Sequence, residues 1–174
     1  MRLFHFSEES EIRIFHPRVK ENRRDMPPVV WAIDEEHAFT FYFPRNCPRL
    51  VYTKHEGITE EDQLRFFGQT DADIVVTVET NWFHRMRDTA IYRYELPADT
   101  FELFDAYAGY YISQDTVEPI ETVKITNAME QLMDMNVELR FTPNLHQLRD
   151  AILQSSIQDF GIHRFEHARP REEV

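Results

Sequence analysis

Glycine is scarce in this chain. Gly57, Gly68, Gly109 and Gly161 are its four glycines, about 2% of the residues against a usual ~7%. No two lie close enough for a G-x-G-x-x-G turn or a P-loop, the phosphate cradles that need glycine where backbone approaches a pyrophosphate. The classical dinucleotide and NTP folds are excluded. Cysteine is scarcer still: Cys47 stands alone, which excludes an internal disulfide and a Cys-based zinc cluster. No apolar run approaches the ~18 residues of a membrane span. The opening MRLFHFSEESE lacks the apolar core of a signal peptide, so the expectation is a cytosolic protein away from membranes. Positive charge is also short, with 19 Lys and Arg against 31 Asp and Glu, a net −12. Such a field repels phosphate backbones and anionic lipid surfaces, so general nucleic-acid binding is excluded.

Aromatic residues are plentiful. Fourteen Phe, seven Tyr and two Trp within a 42% hydrophobic composition are too much apolar material for a solvated coil. A chain of 174 residues predicts one domain, residues 1–174, burying roughly 70% of its unfolded surface. Alternating or continuous apolar patterning predicts strands over 1–6, 29–33, 50–53, 73–79, 89–96, 101–104, 110–113, 117–125 and 137–141. Between 7 and 15 the pattern suggests a helical turn leading into a further short strand. Helices are expected over 35–43, capped by Asp34 and stopped by Pro44, from Thr59 through Phe67, and over 81–87, 127–135 and 145–156. Residues 16–28 form a polar, locally basic loop closed by a double proline. Many short strands with a few short helices make an α+β fold of mixed or antiparallel sheets.

The first candidate site is His5 with Ser7, two apart on one face of the opening strand, while Phe4 and Phe6 point the other way. Side by side they suit a ribose hydroxyl or an amide; the plain alternative is a sheet-edge histidine with Ser7 capping the next turn. The basic loop is the second, with Arg13, Arg18, Arg23 and Arg24, joined by Arg45 and Arg49. Arginine offers bidentate geometry to phosphate, and Arg18, fixed beside Pro17, is the residue singled out. Tyr110 and Tyr111 form the third: neighbours on a strand face opposite sides, so one packs in the core while the other is free to meet a ligand. Two acidic residues, Glu79 closing V-V-T-V-E and Glu118 opening V-E-P-I-E, are positioned to project from strands, although pairing with arginine is the commoner fate. Metal binding is not expected: Glu36 and His37 face different ways, no H-E-x-x-H exists, and His163 with His167 reads as a strand end. Cys47 has no readable base beside it.

The motifs L-F-H-F-S-E-E-S, P-P-V-V-W-A-I-D-E-E-H-A, Y-F-P-R-N-C-P-R, A-G-Y-Y-I-S and P-N-L-H-Q-L resemble an uncharacterised bacterial family of about this length, with no activity to transfer. A second resemblance is to the ADP-ribosyltransferase-like superfamily, including its tRNA 2′-phosphotransferase branch. His5-Phe6-Ser7 is similar to that superfamily's first strand, and Val30-Trp31-Ala32-Ile33 leading to His37-Ala38 to its second element. The resemblance implies an NAD-like ligand in a cleft between two antiparallel sheets. His5 and Ser7 would then meet the ribose, Arg18 the pyrophosphate, and Tyr110 or Tyr111 the base, with NAD as substrate or ligand. The superfamily's catalytic Glu opens a later strand, and here that stretch reads G-Y-Y-I-S-Q. Either Glu118 or Glu79 substitutes, or the protein binds a nucleotide without transferring ADP-ribose or phosphate. The rival expectation is a non-catalytic acidic interaction or structural protein.

Overall fold

The structure, a computed structural model, describes residues 1–21 and 23–171. The chain forms two compact units, Met1–Tyr42 with Ala90–Thr126 and Phe43–Thr89 with Asn127–Val174. Each unit owns one sheet, and the architecture is α+β.

The first unit is a six-stranded sheet in the order β6-β7-β2-β1-β5-β8. Its strands are β1 (Leu3–Ser7), β2 (Val30–Asp34), β5 (Ile91–Leu96), β6 (Glu102–Asp105), β7 (Tyr110–Ser113) and β8 (Glu121–Ile125), and every pairing is antiparallel. Two-residue periodicity sends alternate side chains to opposite faces. Leu3, Val30, Ala32, Tyr94 and Leu96 pack on one face with Phe15, Phe101 and Val117. On the other, Phe4 and Ile33 pack with Ala38, Phe6, Phe41 and Tyr110. The strand expected within 7–15 shrinks to a single bridge, Phe15 to Val117. Residues 8–12 are instead held by Tyr94, whose hydroxyl donates to the Glu9 carbonyl and accepts from Ile12 N. The helix expected over 35–43 is a turn followed by one short 3₁₀ helix, Ala38–Phe41.

The second unit carries β3 (Arg49–Thr53), β4 (Ile74–Glu79), β9 (Val137–Thr142) and β10 (Phe160–His163). Their order is β10-β3-β4-β9, with β4 and β9 parallel and the other pairs antiparallel. The strand end read at His163 is that of β10. Four helices belong here: α1 (Glu60–Phe67), α2 (Phe83–Asp88), α3 (Ala128–Asp134) and α4 (His146–Leu153). Leu50, Tyr52, Phe66, Phe67, Val75, Leu145, Ile152 and Ile157 make this unit's core. Among the described residues no helix is long and apolar enough to cross a membrane.

Candidate functional site

The first unit's sheet is opened at one place. β1 pairs with β5 along its whole length, from Leu3↔Leu96 to Ser7↔Tyr92. Against β2 it pairs only at Leu3↔Asp34 and Phe4↔Ile33. Beyond Phe4 the two strands separate, and the Trp31 carbonyl accepts from the His5 imidazole Nδ1 at 3.0 Å. A carbonyl can only accept, so the proton sits on Nδ1 and Nε2 keeps a bare lone pair. The ring lies 4.8 Å from that of Phe15. Burial pulls its pKa down from 6.5 to about 4, and the charges of Arg18 and Lys20 push the same way. His5 is a neutral acceptor at physiological pH.

A small cleft of about 50 Å³, open to solvent, lies at this separation. Phe4, His5 and Phe6 of β1 line it with Trp31, Ala32 and Ile33 of β2, and Lys20, Phe41 and Tyr110 complete it. The rings brace one another. Phe6 stacks on Phe41 at 5.9 Å with 14° between planes, and Tyr110 meets Phe41 at 6.2 Å and Trp31 at 5.9 Å, both edge-on. Strand register explains the grouping, because Phe4, Ile33 and Tyr110 occupy one cross-strand row. Tyr111 is turned to the opposite face, against the Leu3 and Tyr94 core.

From the basic loop Lys20 lines the cleft; Arg18, like Arg13, Arg23 and Arg24, does not, although its charge acts on His5. Arg18 is exposed, but its backbone is fixed by two hydrogen bonds with Val29, each 3.2 Å. The Lys20 ammonium sits 4.0 Å over the Trp31 ring. Arg23 covers Phe104 at 5.2 Å and pairs with Asp25 at 3.3 Å. Arg13 and Arg24 are exposed and line no part of the cleft, while Arg45 and Arg49 belong to the second unit.

Beside the cleft, Asp34 follows Ile33 and accepts from His37 twice, from its backbone N at 2.9 Å and from its ring Nδ1 at 2.7 Å. Gly109, next to Tyr110, makes room for this pair. It has φ +69°, and a Cβ there would lie 2.3 Å from His37 Nδ1. Spacing alone had marked Glu36-His37 only as an unsuitable metal pair; the Asp34-x-x-His37 interval was the overlooked signal.

The remaining candidates lie elsewhere. The Ser7 hydroxyl accepts from Glu9 N at 3.1 Å and closes a turn. Glu118 is exposed, next to the bridge residue Val117, and does not line the cleft. Glu79 is in the second unit, fully buried, with both carboxylate oxygens accepting from Arg169 N at 3.0 and 3.1 Å. Cys47 is in that unit too, its thiol pushed up to about 12 by burial. Such a thiol carries almost no thiolate. Among the described residues no group of three or more His, Cys, Asp or Glu is arranged to hold a metal ion. Trp31, Phe6 and Phe41 were missed as site residues because an apolar run and a core aromatic look alike in sequence.

No curated protein matches the chain, and no solved structure does. A defined family nonetheless accounts for nearly the whole chain. Its model matches residues 4–168, through both units, and the chain belongs to that family of unknown function, DUF6886.

Proposed function

We propose that the cleft between β1 and β2 binds a nucleotide of the NAD or ADP-ribose type. The supporting observation is one cleft that combines braced aromatic faces, a neutral imidazole acceptor and the Lys20 ammonium on a chain of net −12. A flat ring enters among Phe6, Phe41 and Tyr110, where stacking is worth about 1–3 kcal/mol per base. A ribose hydroxyl donates to His5 Nε2, and Arg18 and Lys20 face the phosphates. The cleft is small, so it takes the edge of one ring and the rest of the nucleotide lies along the rim. Among the described residues no carboxylate lines the cleft. That favours binding over transfer, since neither Glu79 nor Glu118 is placed to steady an oxocarbenium-like centre there.

Thermal unfolding with ADP-ribose tests the reading. At a hundred times its dissociation constant a ligand adds about 2.7 kcal/mol, and each kcal/mol moves the midpoint of a chain this size by roughly 2–4 °C. The expected rise is about 5–11 °C, lost in His5→Ala and Arg18→Ala. An unchanged affinity in both variants would refute it.

A second reading has its own observation. The edge strand β6 and the turn after it leave Leu103 56% and Tyr107 95% exposed, beside Glu102 and Asp105. This is an apolar patch rimmed by carboxylates, as a protein-interaction surface requires. A flat response to nucleotides, with a partner lost on Leu103→Asp, would favour it.

A further inference from the structure

The aromatic cleft already holds a cation. Lys20 Nζ stands 4.0 Å over the centre of the Trp31 ring, and Lys20 shares the cleft with Phe6, Phe41 and Tyr110. The electron-rich face of an indole attracts an ammonium. Trp31, largely buried, is itself held edge-on by Phe104 at 5.0 Å and Tyr110 at 5.9 Å, so the face that Lys20 covers is presented in a fixed direction. A lysine ammonium is compact and strongly hydrated, and gives up much of its water to lie against a ring. An alkylated or delocalised organic cation surrenders less, so it competes well for the same place. The net charge of −12 enriches cations around the molecule.

The backbone of the loop carrying Lys20 is tied independently of the Lys20 side chain. Its ends are tied by the reciprocal Arg18–Val29 hydrogen bonds, and its interior by the turn bonds from Arg23 N to the Lys20 carbonyl and Met26 N to the Arg23 carbonyl. None of these bonds uses the Lys20 side chain, so a change in its rotamer leaves the Arg18–Val29 bridge intact.

We infer that Lys20 is a placeholder, its ammonium occupying over Trp31 a site for a small, weakly hydrated organic cation that binds by displacing it. The inference deepens the nucleotide reading, because oxidised NAD carries an N-alkylated pyridinium and ADP-ribose does not. A free cation needs no nucleotide, however, so the two claims fail separately.

The test follows the Trp31 indole N–H by NMR in the full chain, with Trp82→Phe identifying the resonance. Tetramethylammonium and 1-methylnicotinamide are titrated against neutral nicotinamide, and ADP-ribose is run in parallel. Both cations should move the Trp31 signal saturably, and nicotinamide should not. Lys20→Gln should tighten both cations by about three- to tenfold, the range of a cation–π contact removed as competitor, and Lys20→Arg should not. ADP-ribose should weaken in Lys20→Gln, since a phosphate partner is lost. Nicotinamide binding as tightly as its methylated form, cation affinity unchanged or weakened in Lys20→Gln, or no cation binding in either protein would each overturn the inference. Cations binding where ADP-ribose does not would sink the nucleotide reading alone.

Discussion

Two histidines carry their proton state as a consequence of where they sit. Burial holds His5 at about 4 and His163, next to Arg49 and Arg164, at about 3. Both are neutral in the fold, whereas the unfolded chain takes up a proton on each near 6.5. The unfolded state therefore binds more protons below that pH, and stability falls as pH drops from about 6.5, continuing until the folded values are reached. Urea unfolding at about pH 7 and pH 5 should show a lower midpoint at the acid end, and His5→Gln should lose part of that difference. An equal midpoint at both values would contradict the assigned protonation. Gly109 offers a second residue-scale check. An added methyl meets the Asp34–His37 pair at a positive φ, so Gly109→Ala should cost about 2–3 kcal/mol, read as a midpoint lower by roughly 4–12 °C. At this scale the sequence was partly legible. Period-two alternation correctly required Tyr110 and Tyr111 to face opposite sides, but nothing in it said which one met a cavity. That depends on the Phe4–Ile33–Tyr110 row, a register set by strand pairing far apart in the chain.

Strands were easier to read than short helices, and the physical reason is visible in particular elements. The expected strand 110–113 is β7 itself, and 73–79 and 50–53 differ from β4 and β3 by one residue. The segment after Asp34 went otherwise. Asp34 does accept from His37 N as a cap would, yet its carboxylate also takes the imidazole, and Pro44 ends the available length. One 3₁₀ turn remains, and it places Phe41 over the cleft. Thr59 behaves as its sequence context promised, accepting from Asp62 N at 3.2 Å at the start of α1. Asp62 in turn accepts from Ser156 N and Oγ, both at 2.7 Å, which ties α1 to the segment after α4. Thr59→Ala should cost about 1 kcal/mol, measurable as a lower urea midpoint with an unchanged slope. A change in slope would point instead to partial unfolding of the second unit. The separation of β1 from β2 had no sequence signature, because both strands carry strong strand patterning and only their incomplete pairing makes the cleft.

Across the whole molecule, composition excluded classes more securely than it assigned one. The α+β class follows from strand count and patterning, and the family match runs from residue 4 to residue 168. The chain passes between its two compact units after Tyr42, Thr89 and Thr126. That division sends Glu79 to one sheet and His5 to the other, a separation no local motif records. The acidic surface bears on ligand choice as well: at net −12 an anionic nucleotide approaches against the overall field, so Arg18 and Lys20 must supply the local attraction, and affinity should depend on salt. The most direct measurement is a two-dimensional NMR titration of the intact chain with ADP-ribose. The account predicts saturable shifts concentrated at His5, Phe6, Trp31, Phe41 and Tyr110. Shifts clustered on residues of the second unit, or none at millimolar ligand, would contradict it.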